Sequence, residues 1–370
     1  MGRTNSILIY SENFYPRIGG AELQLWRLGR ALATMGTQVT VVTLWNDRAL
    51  PLREALEGMT IYRLPYPQRR VLDSLVVPWR LSAYLLQNAR DFSVLHVQGI
   101  GLAGAVALIV SRLLGKQTCF AVMGSEELYV RESTRVPKPV LFKLYALAHH
   151  AVAINRQSRD YLIDRGIRAE RIHVIPYGVD TTVFHPRRPS EEMTDPAVIF
   201  VGRLVPLKGL RYLLEGWPHV LRRVPGARLL MVGDGPFRPE LEELARALDI
   251  EDSVQFLGAQ RDVQRFLRLA EVAVLPSLSE GLPNSLLEAM ACGLAVVASR
   301  LPGVSELIED GKNGLLVEPG NTKALAEALI TVLTNAPLRR ALGARAAETV
   351  RREYSLERMV NAFASLYHLV

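Results

Sequence analysis

Pro276-Ser277-Leu278-Ser279-Glu280-Gly281-Leu282-Pro283-Asn284-Ser285-Leu286-Leu287-Glu288-Ala289-Met290-Ala291-Cys292-Gly293 is the stretch from which the chain can be understood. Just before it, Glu271-Val272-Ala273-Val274-Leu275 is short, apolar and rich in β-branched residues, as a buried strand is. Ser277–Pro283 contains Ser, Gly and Pro and predicts a loop. From Ser285 on, Leu286, Leu287, Met290 and Ala291 recur at helical spacing, with Asn284 placed to cap the helix. Glu280 then lies in the loop and Glu288 on the second helical turn. Backbone N–H groups of such a loop and first turn gather in one crevice, which suits a phosphate. A carboxylate binds phosphate poorly but accepts well from sugar hydroxyls. Two carboxylates flanking an N–H-rich turn therefore point to a sugar nucleotide, Glu280 serving the sugar and Glu288 the ribose. Taken alone, the stretch also fits a plain βα turn with solvated acids, and the rest of the chain decides between them.

Working outward, residues 197–369 alternate strand and helix patterns. Strands are expected at Ala197–Val201, Ala227–Val232, Val254–Leu257, Val272–Leu275 and Ala295–Ala298, with a short one at Gly314–Val317. Helices are expected at Leu210–Val224, Pro239–Leu248, Val263–Leu269, Ser285–Ala291, Val304–Ile308 and Thr322–Thr334, then over the long stretch Pro337–Leu369. After the first of these strands comes Gly202-Arg203-Leu204-Val205-Pro206-Leu207-Lys208-Gly209. Arg203 offers a fork and Lys208 a compact charge, a pair suited to clamping a diphosphate at a strand's carboxyl end.

The first half repeats the alternation, with strands at Ile7–Tyr10, Val39–Thr43, Thr60–Leu64, Val94–Val97, Thr118–Val122, Ala151–Ile154 and Ile172–Ile175. A helix over Ala21–Met35 follows the loop Ser11–Gly20. That loop ends in Gly19-Gly20, where Gly20 lets a phosphate or sugar approach the backbone, although the Gly-x-Gly-x-x-Gly fingerprint is absent. Such alternation implies two parallel sheets covered on both faces, with ligands at the carboxyl ends of the strands. Gln98, Met123, Gly124, Ser125 and Glu126 fall at or just after such ends. His96 fits a core histidine better than a ligand. The polar stretch Arg187–Pro196 reads as the linker, which divides the chain into domains of residues 1–187 and 188–354.

The chain has 370 residues, a two-domain length, and 49% hydrophobic and 22% charged residues, a globular composition. Its two cysteines, Cys119 and Cys292, match no metal spacing and suit buried thiols in a reducing compartment. The 11-residue apolar run Ile100–Val110 is too short to span a bilayer, and no secretory signal is visible, so a cytoplasmic protein is expected. The net charge of +7 is uneven. Residues 1–187 hold 23 Lys+Arg against 14 Asp+Glu, and residues 188–370 hold 21 against 23. The basic first half suits an anionic acceptor or the acidic inner face of a membrane, with nucleic acid not expected as a partner.

These residues together resemble the retaining glycosyltransferases of family 4, which have the GT-B fold of two facing Rossmann-like domains around a cleft. The resemblance rests on Gly19-Gly20-Ala21-Glu22, Gly202-Arg203-Leu204 with Lys208-Gly209, Val232-Gly233-Asp234-Gly235-Pro236, and Glu280 followed by Glu288-Ala289-Met290-Ala291-Cys292-Gly293. It covers nearly the whole chain. It implies that Arg203 and Lys208 hold the donor diphosphate and that Glu280 binds donor sugar hydroxyls beside the reacting face. It further implies that the backbone of Gly281, Leu282, Pro283 and Asn284 supports sugar and phosphate. Glu288 would bind the ribose, residues from Gly258 to Val263 the nucleobase, and Gly20 would approach the donor from the first domain. The resemblance places Gly19, Gln98, Met123, Gly124 and Ser125 on the acceptor side, and a final helix from about Ser355 crossing back onto the first domain.

The implied reaction moves a hexose from a UDP- or GDP-linked donor to a hydroxyl acceptor, lipid-linked or anionic, in cell-surface polysaccharide or glycolipid synthesis. No metal or other cofactor is implied, because Arg203 and Lys208 do the electrostatic work. The chain departs from the family in three places, one of them Tyr177, which stands where the family's Pro-Asn-Gly-Val-Asp segment has its asparagine. Many relatives carry a histidine where it has Val122-Met123-Gly124-Ser125, and another where it has Gln98. Neither Met123 nor Gln98 can act as an acid or base. Two other classes stay open on the sequence: a GT-B-fold sugar-nucleotide epimerase, and a sugar-nucleotide-binding protein with a degenerate site.

Overall fold

The computed structural model of the chain describes residues 6–16, 19–122, 136–186 and 196–368. The expected linker falls largely outside them. The chain divides into two compact units, Met1–Gly178 with Leu356–Val370, and Val179–Ser355. The first unit's opening segment thus ends at Gly178, nearer the amino terminus than the polar composition of residues 187–196 suggested.

The first unit is built on β1 (Ser6–Tyr10), β2 (Gln38–Leu44), β3 (Arg53–Leu56), β4 (Met59–Leu64), β5 (Val94–Gln98), β6 (Gln117–Val122), β7 (His150–Ala153) and β8 (Ile172–Val174). They form one eight-stranded sheet in the order β3-β4-β2-β1-β5-β6-β7-β8, parallel except for the β3–β4 pair. Side chains alternate across it as strand geometry requires. Ile7 and Ile9 of β1 join Val39, Val41, Met59 and Ile61 in one core layer. Leu8 and Tyr10 join Val42, Leu64, Leu95 and Val97 in the other. The first layer is covered by the helix Gly20–Thr34, through Leu25, Leu28 and Leu32, and by the helix Leu356–Leu366, through Met359, Val360 and Phe363. The chain is therefore not helical throughout Pro337–Leu369. A helix over Ala336–Glu353 stops at Tyr354 and a separate one begins at Leu356.

β3 was not expected from the sequence. It pairs antiparallel with β4 through Leu56↔Met59, and the turn residues Glu57 and Gly58 have φ of 48° and 82°. Two positive φ values in a two-residue connection make the tight hairpin turn usually signalled by Asn-Gly or Asp-Gly. Glu57 in the first position hides that signal. β3 also supplies Glu54, which pairs with the buried guanidinium of Arg63 on β4.

The second unit is built on β9 (Ala197–Val201), β10 (Arg228–Val232), β11 (Val254–Gly258), β12 (Val272–Leu275), β13 (Ala295–Ser299) and β14 (Leu315–Val317). All its pairings are parallel, in the order β11-β10-β9-β12-β13-β14. Counted within the unit this is 3-2-1-4-5-6, the order of doubly wound nucleotide-binding sheets. The direction of winding reverses between β9 and β12, so the loops leaving those two strands diverge and open a crevice at their carboxyl ends. In the first unit the same reversal falls between β1 and β5.

Candidate active site

The loop after β9 carries Arg203 and Lys208, and the loop after β12 carries Glu280. They leave the two strands that flank the reversal of the second sheet. Two short features lock the loops together. The Leu278 N–H donates to the Leu207 carbonyl at 2.8 Å. Gly209 has φ of 64°, and a Cβ there would lie 2.0 Å from the Pro276 carbonyl oxygen, so only glycine permits this approach. Lys208 then forms an ion pair with Glu280, whose Oε1 also accepts from the buried Ser277 Oγ at 2.7 Å. The Lys208 and Glu280 side chains are only 20% and 11% exposed, so their charges meet in a site partly shielded from water. Arg203 is exposed, and its guanidinium has no partner among the described residues.

The helix Asn284–Ala291 begins one residue earlier than expected, and Asn284 is its first residue rather than its cap. Pro283 occupies the cap position with φ of −75° and ψ of 117°. The fixed φ of proline suits the turn from extended loop into helix, which shifts the start forward. The N–H groups of Leu282 and Ser285 donate to no described residue. They leave unsatisfied donors at a helix start beside Lys208 and Glu280, a setting that favours an anion. Gly281, Leu282 and Pro283 are buried, and so is Glu288 on the second turn. Gly258 ends β11 with φ of 69°, and its carbonyl accepts from the Gly233 N–H at 2.8 Å. Asp262 caps the short helix that starts at Val263.

The acceptor-side residues lie on the first unit. Gly19 caps the helix Gly20–Thr34, so Gly20 is already helical and not the last loop residue. Gln98 ends β5. It lines a recess of about 150 Å³ at the carboxyl ends of β1 and β5 together with Ser11, Glu12, Asn13 and Glu22. Met123, Gly124 and Ser125 lie outside the described residues. His96 is a core residue, fully buried, and burial lowers its pKa to about 4. Neutral His96 bridges Gln98 Oε1, at 3.2 Å from Nε2, and the Tyr367 hydroxyl, at Nδ1. The carboxamide oxygen can only accept, so Nε2 carries the proton and Nδ1 receives from Tyr367. The Gln98 side chain is thereby held from behind, with its amide N–H groups left as donors.

Three supports were missed in the sequence. Ser277 stands three residues before Glu280, a Ser-x-x-Glu spacing that signals a local side-chain contact. Glu12 stands two residues after the end of β1, yet a single acid in a loop carries no spacing signal. The Tyr145 hydroxyl receives the Gly101 N–H at 3.0 Å, and its one proton lies between the carbonyls of Gly101, at 3.0 Å, and Gly99, at 3.2 Å, shaping the loop after β5 from a helix more than forty residues on.

A sequence profile of Glycosyltransferase Family 4 matches residues 18–183, and one described as Glycosyl transferases group 1 matches residues 195–335. Alpha-D-kanosaminyltransferase of Streptomyces kanamyceticus is 30% identical over 74% of this chain and 75% of its own. This chain belongs to the family 4, group 1 glycosyltransferases. It is also 28% identical, over 88% of its length and 68% of the relative's, to one chain of the human phosphatidylinositol N-acetylglucosaminyltransferase. In fold it is similar to HepE of Anabaena, solved in complex with UDP-glucose, with a TM-score of 0.79 at 21% identity over 99% of this chain and 100% of that one. This glycosyltransferase is thus an enzyme with two Rossmann-like units, and the epimerase and scaffold readings are not favoured.

Proposed function

We propose that this glycosyltransferase is a retaining, metal-independent hexosyltransferase that uses a UDP-linked sugar. The observation that carries the reading is the meeting of Lys208 and Glu280 beside the N–H groups of Leu282 and Ser285, which donate to no described residue. Lys208 and Arg203 neutralise the diphosphate, and the two N–H groups take phosphate oxygens. Glu280, held by Ser277 and Lys208, accepts from hydroxyls of the sugar. The bond between C1 and the phosphate oxygen breaks with oxocarbenium character. The departing phosphate oxygen takes the acceptor's proton, and the acceptor oxygen bonds to C1 on the same face. No protein nucleophile is then needed, and the positive side chains stabilise the charge on the leaving group. UDP is favoured over GDP because HepE, of the same fold, binds UDP-glucose.

The acceptor we infer is a hydroxyl on a lipid-linked or anionic molecule. The helix Arg70–Gln87 on the first unit exposes Leu72, Leu75 and Trp79 at helical spacing, with Leu75 70% and Trp79 68% exposed. A soluble protein rarely leaves such a stripe uncovered, and an interfacial helix is built this way. Phosphatidylinositol, which the human relative carries in its name, is a lipid of this kind. Incubation with UDP-hexoses and phospholipid-borne hydroxyl acceptors should release UDP and give a product whose anomeric configuration, read by NMR, matches that of the donor. An inverted product, or no UDP release with any donor that binds, would refute the reading.

A further inference from the structure

At the other end of the first sheet, about 17 Å of strand away from the carboxyl-end recess, lies a larger cavity of about 740 Å³. Its walls are the corners that enter neighbouring strands. Arg90 and Phe92 precede β5, Arg112 and Lys116 precede β6, His149 precedes and His150 opens β7, and Tyr367 and His368 follow the last helix. β5, β6, β7 and β8 are consecutive in the sheet, so the topology sets these cations in a row along one edge. No acid lines the cavity among the described residues. Among the described residues Arg90 has no partner and Lys116 meets only the face of Phe92, at 5.2 Å from the ring centre. Arg112 donates to the Leu147 carbonyl at 2.7 Å and has no carboxylate partner among the described residues.

The histidines are wired in a fixed sense. The Gln117 amide donates to the Leu366 carbonyl at 3.0 Å, which identifies its nitrogen, and that nitrogen lies 3.1 Å from His150 Nε2. His150 Nε2 is therefore the acceptor, and its Nδ1–H donates to His173 Nε2 at 3.1 Å. His149 Nδ1 accepts from the Thr118 N–H at 3.1 Å, leaving its Nε2 as the donor. Three uncompensated cations and a rank of imidazoles in one cavity produce a strong positive potential, with no described acid lining the cavity to cancel it.

We propose that this cavity is an anion site for a phosphate-bearing molecule, separate from the donor loops. Arg90, Arg112 and Lys116 are its primary contacts, and His149 Nε2–H completes the cradle. The soluble form of that chemistry is a free di- or polyphosphate, and the membrane form is an acidic phospholipid headgroup. Exposed Leu86, Leu113 and Leu147 lie on the same three strand-entering corners, which also gives a bilayer something to hold. Burial lowers the pKa of His149, His150 and His173, with Arg112 adding to the effect at His149. At His150, His173, His149 and His368 add to burial in that order, and its pKa falls to about 4. A bound anion opposes those effects, so the imidazoles favour it without having to be charged beforehand.

The test uses the full chain with the donor loop disabled, R203A/K208A, and the same chain carrying R90A/K116A in addition. Inorganic pyrophosphate should raise the melting temperature of the first. The second should bind it at least about tenfold more weakly, since each cation lost removes a charge-assisted contact. Equal responses from both proteins, or none from either, would overturn the proposal. Sedimentation with phosphatidylglycerol vesicles then separates the sources. If R90A/K116A weakens vesicle binding as well, the ligand is a lipid headgroup; if vesicle binding is unchanged, it is the soluble anion.

Discussion

Lys208 and Glu280 are 72 residues apart in the chain, yet their side chains form an ion pair at the point where the second sheet reverses its winding. The pair holds each charge in place before any ligand arrives. A diphosphate entering the crevice meets Lys208 already aimed, and the sugar meets a Glu280 carboxylate that Ser277 also orients. Such preorganisation lets a site stabilise developing charge without rearranging at the moment of reaction.

Lys208→Ala should lower kcat by about 10²–10³, the cost of losing one preorganised electrostatic contact to the leaving group. Glu280→Gln keeps the size and one acceptor oxygen but removes the charge, and a loss of at least tenfold in kcat/KM is expected. Both variants should retain cooperative melting, since the pair joins two loops in a crevice and is not part of either hydrophobic core. UDP release with the cognate donor is the measurement. Near-wild-type turnover in Glu280→Ala would remove Glu280 from the reaction.

Ser277→Ala tests orientation separately from charge. A hydrogen bond to a charged group contributes about 1.5–3 kcal/mol, so kcat should fall roughly tenfold or more while the affinity for free UDP stays nearly unchanged. A selective rise in the Kd for UDP would instead make Ser277 part of nucleotide binding.

Gly209→Ala and Gly36→Ala separate backbone strain from collision. Both glycines have positive φ, 64° and 87°, but a Cβ at Gly36 meets nothing within 4 Å while one at Gly209 strikes the Pro276 carbonyl. Gly36→Ala should cost about 1 kcal/mol from conformation alone. Gly209→Ala should cost clearly more and also disturb the Lys208 loop. Urea unfolding of both variants gives the comparison, and equal costs would show that the contact between the two loops is soft.

His96 predicts acid sensitivity. Its pKa is lowered by burial to about 4, against an ordinary value of about 6.5 in the unfolded chain. A depressed folded-state pKa contributes stability that is fully present above 6.5 and is lost as pH falls from there through 4. The loss from this group alone approaches about 3 kcal/mol by pH 4. His96→Gln, which cannot titrate, should flatten the decline in melting temperature between pH 6.5 and pH 4. An unchanged pH profile would assign the acid sensitivity to other groups.

If the Lys208 and Arg203 charges replace a divalent ion, activity should survive extensive dialysis against EDTA with no recovery on adding Mg²⁺ or Mn²⁺. A requirement for either ion would refute the metal-independent part of the proposed function.

Much of the fold was legible because its signals are local. Strands such as Val272–Leu275 and Ala295–Ser299 declare themselves by β-branched apolar runs, and helices such as Thr322–Thr334 by period. The same local reading placed Arg203, Lys208 and Glu280 at strand ends, because loop residues after a strand are fixed by where the strand stops. Legibility failed where the signal was weak or distant. The β3–β4 hairpin hid behind Glu57-Gly58, and Pro283 took the cap expected of Asn284.

The sequence by itself determined which side chains lie at the carboxyl ends of strands, since chain direction and hydrophobic period are written along it. Only the tertiary structure decided that β9 and β12 are neighbours, and so that Lys208 reaches Glu280. The same is true of the row Arg90, Arg112, Lys116 and His149, which strand pairing gathers along one sheet edge. Strand order is a choice among long-range pairings that leave the same short-range pattern, so it comes from packing the whole sheet.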